Sequence, residues 1–486
     1  MDLENPDWRL SHLYKIVTKD GQLINLHPNS VQQLINKCRR RRKMILKARQ
    51  FGVTTQEVIK QLDFVCFNEN VTACILAHER DALEKIFNIV RIAYDNMPSD
   101  VRPRVDRGGG SKYELRFPKK NTKIYVDLEV RGGTNHWLHV SEAHFADSAR
   151  IKATKETVPL NGIITEESTA NGMSGDFYVN WIDRNYRSAK LFYPWFIFRE
   201  YAIQNHSLKN TELTPDELDL INRVNLEYGI KLTLDQIAFR RQKQSDLKEL
   251  FIQEYPEDDV TCFLASGNAA VDLRTVKRLM DELPSPLIAD ETFEKYIEKE
   301  TKKSYVIGAD TAEGVGRDYS VATVYEVETL RQCAQIRHNR WKPTTFALEL
   351  VKLAKQYTSG ERAPLMAVER NNHGHTVLSE LYEHLHYANL YSFKNDDEYL
   401  GWQTDKITRP IMIDGFIDGL ECETVQINSM DTLHECLTLI DNKGKIEAED
   451  GEHDDCIIAS SIALQVCIAE RKGLGQLENI GSKILI

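Results

Sequence analysis

Lys47-Ala48-Arg49-Gln50-Phe51-Gly52-Val53-Thr54-Thr55 follows the apolar run MILKA and precedes a helical pattern. A phosphate-binding loop needs that context, because backbone N–H groups at a helix N-terminus cradle phosphates. Thr54 is the natural hydroxyl for a magnesium ion. The lysine of the usual G-K-[ST] sequence is missing, since Val53 stands in its place. Lys47 or Arg49, earlier in the loop, could supply the positive charge. Taken alone, the segment also reads as an ordinary strand–turn–helix corner. WLHVSEAHFAD places Glu142 at the tip of an apolar strand, where a carboxylate can orient a water over a terminal phosphate. In Glu167-Ser168-Thr169-Ala170-Asn171-Gly172, the small polar residues Ser168 and Thr169 could sense loss of that phosphate. The bland readings are a surface glutamate and a polar loop.

A second set of groups is acidic. Asp310 ends the run YVIGAD, Glu369 ends MAVE, and Gly451-Glu452-His453-Asp454-Asp455 opens the apolar helix CIIASSIALQVC. Paired aspartates at a helix start also serve as caps, and strand-end acids are commonly solvated. Together, Asp310, Glu369, Asp454 and Asp455 could converge on two magnesium or manganese ions about 4 Å apart, an arrangement that activates water and stabilises a leaving oxygen. Oxygen donors of this kind suit hard cations better than zinc.

These residues need strands and helices to hold them. Unbroken apolar runs at 44–48, 73–77, 137–140 and 162–165 alternate with helical patterns over residues 1–265, as a parallel sheet covered on both faces requires. Residues 176–260 are charged and helical in pattern and are expected as a subdomain on that sheet. Residues 266–303 turn polar, with Gly267, Pro284 and Pro286, and are expected as a linker. From 304 to 472 a strand meander, a helix and a further strand predict a second α/β domain, leaving 473–486 as a tail.

The 486 residues, 42% of them hydrophobic, suffice for two or three cored domains. No apolar run is long enough to span a bilayer, the polar N-terminus is unlike a secretory signal, and nine scattered cysteines fit reduced thiols. A cytosolic chain is expected. Net charge is -11, yet residues 1–150 hold 25 Lys and Arg against 18 Asp and Glu, while the remainder holds 37 against 55. A basic part suits a phosphate-gripping role and an acidic part a metal site.

The ordered set resembles the large terminase family, the ATPase–nucleases that package phage DNA. K-A-R-Q-x-G-x-[ST]-T is similar to that family's variant Walker A loop, with Lys47 where several members move the lysine. Glu142 matches the catalytic glutamate, Ser168-Thr169-Ala170 the coupling motif, and Asn29-x-x-Gln32 the adenine-recognition glutamine. Arg131-Gly132-Gly133-Thr134 resembles a segment whose arginine acts on a neighbouring subunit's ATP. Asp310, Glu369 and Asp454/Asp455 match the family's nuclease acids, and Lys406 and Arg409 lie in a segment that is also similar. The resemblance spans roughly residues 25–470. It implies a RecA-like (ASCE) P-loop ATPase domain followed by a ribonuclease-H-like (RNase H-like) α/β nuclease domain. ATP would lie against Gln32, Lys47, Arg49, Gln50, Gly52, Thr54, Thr55, Ser168 and Thr169. Glu142, Arg131, Asp310, Glu369 and Asp455 would be catalytic, and two Mg2+ (or Mn2+) ions would sit on Asp310, Glu369, Asp454 and Asp455.

The implied partners are double-stranded DNA, a small terminase subunit, a procapsid portal protein and copies of this chain in a ring, a pentamer in the family. The implied location is the host cytoplasm and, transiently, the portal vertex, with no membrane involved. One departure stands out: the acid that usually precedes the catalytic glutamate and holds magnesium is Ser141 here. With Val53 in place of lysine, the site lacks two usual charges, and other groups are expected to compensate. Two rival readings stay open. One is a cellular helicase or repair ATPase–nuclease; the other is a nucleotide-binding packaging scaffold with weak ATPase, which Ser141 and Val53 favour.

Overall fold

The structure is a computed structural model. It describes all residues except 1, 107–111, 184, 205, 264–268, 317, 371–372, 394–398, 443, 450 and 484–486, and the backbone alone over 473–483. The chain forms two compact units, Met1–Ala265 and Ser266–Ile486.

The first unit opens with helix α1 (Pro6–Leu13), strands β1 (Lys15–Val17) and β2 (Leu23–Asn25), and helix α2 (Ser30–Lys37). Then come β3 (Arg42–Lys47), α3 (Val53–Phe67), β4 (Thr72–Leu76), α4 (Arg80–Asp95), β5 (Glu114–Phe117) and β6 (Thr122–Asp127). They are followed by β7 (Trp137–Ser141), α5 (Ser148–Lys155), β8 (Ile163–Ser168), α6 (Gly175–Ile182) and β9 (Ala189–Tyr193). Helices α7 (Pro215–Tyr228), α8 (Leu234–Leu247) and α9 (Phe251–Glu254) close the unit.

The main sheet runs β5-β6-β4-β7-β8-β3-β9, parallel except for β5 at one edge. Helices cover it, so β3, β4 and β7 are buried almost throughout and read as apolar runs rather than alternations. The segment expected as a mostly helical subdomain also holds a strand. Residues 189–193 form β9 and pair with β3, while α7 and α8 follow behind the capping boxes Thr214/Glu217 and Thr233/Gln236. The strand was missed because AKLFY is short and only half-buried.

The second unit contains α10 (Leu273–Glu282), β10 (Ile288–Ala289), β11 (Phe293–Lys295), β12 (Tyr305–Asp310), β13 (Ser320–Glu326) and β14 (Arg331–His338). It continues with α11 (Pro343–Tyr357), β15 (Leu365–Val368), α12 (Gly374–Ser379), α13 (Thr408–Glu421), α14 (Met430–Leu437), β16 (Leu439–Asn442), β17 (Lys445–Ala448) and α15 (Asp455–Lys483). Its sheet runs β10-β11-β14-β13-β12-β15, with β12, β13 and β14 antiparallel and β15 parallel to β12. The α/β class is as expected in both units: a parallel-core sheet first, a mixed sheet second.

The expected linker 266–303 is structured instead. Strand β11 pairs with β14, and α10, capped by Asp272, buries Leu273, Val276 and Met280. Its exposed polar faces disguised a single apolar stripe. Helix α15 lies so close to β12 that a Cβ on Gly308 would meet the Ala459 carbonyl at 2.2 Å, and Val321, Cys456 and Ala459 pack together there. The expected tail begins inside this helix, which runs on to Lys483.

Candidate functional site

In the first unit the candidate residues gather at the C-terminal ends of neighbouring parallel strands. The β3–α3 loop reaches Gly52 at φ +70, a left-handed backbone in which a Cβ would also meet Gln32 Nε2 at 2.9 Å. Gly52 caps α3 without a side-chain hydrogen bond, which leaves the N–H groups of the first helical turn facing outward for an anion. Thr54 and Thr55 are half-buried in that turn. Gln32 is itself buried. It completes the capping box of α2 with Asn29 and donates to the Gly52 carbonyl at 2.7 Å, while Asn29 donates to the Phe51 carbonyl at 3.0 Å. The two residues therefore brace the loop.

Lys47 ends β3 and is 3% exposed. Its Nζ lies 3.0 Å from Glu142 Oε1 and 3.1 Å from Glu167 Oε2. Burial would lower the Lys47 ammonium, but the two carboxylates outweigh it and hold it above its ordinary range. Arg49 turns instead to Glu254 at 3.0 Å, so of the two basic residues Lys47 brings the charge to the strand ends. Gln50, at φ 63, is exposed and accepts from Lys19 Nζ. Arg131 is exposed and paired with Glu129, outside the Lys47 group.

Glu142 sits one residue beyond β7 with φ 50, a backbone that non-glycine residues rarely adopt and that recurs at functional sites. Its Oε2 accepts from the Thr169 N–H at 3.2 Å and from Ser168 Oγ at 3.4 Å. Residues expected to sense phosphate thus touch the acid expected to orient water.

The residue that sequence reasoning missed is Glu167. It is fully buried, accepts from Thr54 Oγ1 at 2.6 Å and from Ser141 Oγ at 3.2 Å, and pairs with Lys47. Burial would raise its carboxyl, but Lys47, with His139 and Thr54, holds it below the usual carboxylate range. A signal existed: TEES ends a buried strand with two acids, which requires partners.

In the second unit, Asp310 ends β12. Glu369 follows β15, its N–H donating to the Ala309 carbonyl at 2.8 Å, so the two acids sit side by side on parallel strand ends. Burial raises the Asp310 carboxyl well above its ordinary range, and Glu369, within hydrogen-bonding reach, adds to the rise, as do Asp455 and Asp454. Asp455, the first residue of α15, accepts from the Tyr319 N–H at 2.9 Å, and burial pushes it up to about 6. Asp454 pairs with Arg409 at 2.5 Å, and His453 Nδ1 lies 3.7 Å from Asp455. Lys406 is exposed.

Asp310 thus feels the negative charge of Glu369, Asp455 and Asp454, and an oxygen donor set of this kind fits a divalent cation. Among the described residues, no three His, Cys, Asp or Glu groups are drawn together tightly enough to hold an ion as they stand. Sequence reasoning also missed Glu435. From α14 it accepts the N–H groups of Cys456 and Ile457 at 2.8 and 3.0 Å, fixing the start of α15, and burial raises its carboxyl to about 8.

Trp195 is fully buried and donates to Glu257 at 3.2 Å. The run Cys38–Lys43 follows the C-terminal end of α2 and helps line a cavity of about 320 Å³ with Lys60 and Trp137. All nine cysteines are free thiols. Among the described residues no helix is long and apolar enough to cross a membrane.

No model of a protein family matches the sequence. Solved structures similar to the chain include the large terminase of bacteriophage HK97, at 13% identity and a TM-score of 0.43, over 95% of this chain and 99% of that one. The large terminase of a thermophilic bacteriophage is 11% identical with a TM-score of 0.31, over 88% and 94%. The large terminase nuclease of a second thermophilic phage, G20c, with bound magnesium is 17% identical with a TM-score of 0.33, over 41% of this chain and 98% of that one.

Proposed function

We propose that this chain is the large subunit of a viral DNA-packaging terminase. Its first unit hydrolyses ATP to move double-stranded DNA, and its second cuts that DNA. The observation that carries the reading is the group Lys47, Thr54 and Glu142 at the half-buried start of α3, in a chain whose second unit sets Asp310 within the influence of Glu369 and Asp455.

The outward N–H groups of α3 and the Lys47 ammonium would bind the phosphates of ATP. In doing so Lys47 exchanges a carboxylate for a phosphate oxygen. That releases one oxygen of Glu142 to orient the attacking water, while the Thr169 N–H keeps the other in place. Loss of the terminal phosphate reverses the exchange, and the pull on the 168–172 loop is the first movement available to drive DNA. Arg131, exposed on its loop, is free to reach a neighbouring copy in a ring.

In the second unit Asp310, Glu369 and Asp455, with Asp454, would hold divalent cations, which would supply water activation and leaving-group stabilisation. Arg409 and Lys406 face the DNA backbone. The small subunit, the portal and the host cytoplasm belong to the same proposal. The test is Glu142→Gln in the full chain, assayed for DNA-stimulated ATP turnover. Loss of roughly 100-fold or more is expected for removing a positioned proton-accepting group, and unchanged turnover would refute the assignment.

A further inference from the structure

Ser141 leaves the first site without the carboxylate that normally stands beside a water-orienting glutamate, and the structure shows where one has gone. Strands β7 and β8 are parallel neighbours, and Ser141 is the register partner of Glu167. The Ser141 hydroxyl lies 3.2 Å from Glu167 Oε1. An acid moved one strand over therefore reaches the spot that an acid at 141 would have occupied. The two positions exclude each other: an aspartate at 141 would set two carboxylates against one another, and serine avoids that by donating a hydrogen bond.

We infer that Glu167 is the metal-orienting carboxylate of this site, holding the divalent cation of a bound nucleotide together with Thr54. The inference rests on reading the site as a nucleotide site. A hydroxyl that ligates a cation must turn a lone pair toward it and send its proton elsewhere, and the Thr54 proton already goes to Glu167 Oε1 at 2.6 Å.

The other oxygen, Oε2, is buried and, among the described residues, accepts no hydrogen bond of good geometry, meeting Lys47 Nζ as an ion pair at 3.1 Å. Behind it His139 is fully buried, neither ring nitrogen has a hydrogen-bond partner among the described residues, and Nε2 stands 3.6 Å from Oε1. A buried ion pair left this incomplete is a poor device for stability alone, because desolvation offsets much of the attraction. Its deficit is the kind a cation with its waters fills.

The two acids at the strand ends then divide the work by environment. Glu142 keeps 29% of its side chain exposed and is steered toward water, whereas Glu167 has none exposed and is tied to the hydroxyl. Lys47 bridges them.

The experiment measures the affinity of the full chain for a fluorescent ATP analogue in magnesium and in EDTA. The unaltered chain should bind more tightly in magnesium. Glu167→Gln should lose that gain, roughly 10–100-fold as for groups that orient a metal site, yet keep its affinity in EDTA. The double variant Ser141→Asp with Glu167→Gln should regain it. A Glu167→Gln chain that keeps the gain, or weakens equally in both buffers, overturns the assignment, since a mere counter-ion for Lys47 would behave so. Should Glu167→Gln fail to fold, Ser141→Asp alone decides: no added magnesium gain is expected, and a gain of roughly tenfold or more would show that the acid had been lacking. No binding by the unaltered chain would instead reject the nucleotide reading itself.

Discussion

At the scale of single residues, the first site is an electrostatic balance around Lys47. A buried ammonium is tolerated because two carboxylates meet it, and each loses that compensation if Lys47 is removed. Lys47→Met should therefore destabilise the first unit by about 3–5 kcal/mol, the usual result of breaking a buried pair from one side. Adding Glu167→Gln should return most of that loss, because the fully buried acid is then neutral. Calorimetric melting of the single and double variants checks this, and equal losses in both would sink the account. Lys47→Arg is no rescue, since a planar guanidinium does not fit the place of a point charge between two acids. Part of this balance was legible. The sequence pointed to Lys47 as a source of charge and to Glu142 as the acid beside it. Glu167 was not legible, because its role depends on strand register: only the pairing of β7 with β8 brings it to Ser141 and Thr54.

At the scale of elements, the second site depends on where α15 begins. Two contacts fix that position. Gly308 lets the helix lie against β12, and Glu435 takes the first N–H groups after Asp455. Gly308→Ala would drive a Cβ into the Ala459 backbone. It should cost about 1–3 kcal/mol as overpacking and, if α15 shifts by about 1 Å, roughly 100-fold in metal-dependent cleavage. Full activity with an unchanged melting temperature would show that the close approach is unimportant.

Glu435 gives a pH dependence with a definite sign. Burial raises its carboxyl to about 8, above the ordinary carboxylate value it regains on unfolding. The folded state thus holds the proton more tightly. Stability from this group is fully present below the unfolded value and is lost as pH rises toward about 8. Glu435→Gln keeps an oxygen to accept both N–H groups and carries no charge. Its melting temperature should match that of the unaltered chain near pH 5 and exceed it at pH 9, by about 2–4 °C per kcal/mol for a unit of this size. A constant difference across that range would count against a buried, proton-holding Glu435.

The elements themselves were readable where apolar runs are unbroken, as in β3, β4, β7 and β12. They were not readable where an element buries one narrow stripe, as in α10, or lies at a sheet edge, as in β9 and β10. Capping by Glu435 was hidden because it acts across 21 positions of sequence.

At the scale of the whole molecule, the two candidate sites are carried by two units that each bury their own core. In the first, Leu62, Ile75 and Val90 pack between sheet and helices; in the second, Ile307, Val324 and Leu350 do so. Charge differs between them as well: residues 1–265 hold 38 Lys and Arg against 36 Asp and Glu, and residues 266–486 hold 24 against 37. Each candidate site draws its groups from a single unit, strand ends and the start of α3 in the first, strand ends and the start of α15 in the second. Separation of function is the expected outcome. Asp310→Ala should abolish plasmid cleavage in manganese while DNA-stimulated ATP turnover stays within about twofold, the usual neutrality of sites that share no partners. Glu142→Gln should do the reverse. Both variants keep every backbone contact described above, so a result cannot be ascribed to unfolding if each melts like the unaltered chain. Cleavage that survives in Asp310→Ala would remove the acid cluster from the mechanism. If one substitution instead stopped both activities, the two units would have to act as a single machine, and ATP turnover would have to be a condition of cutting.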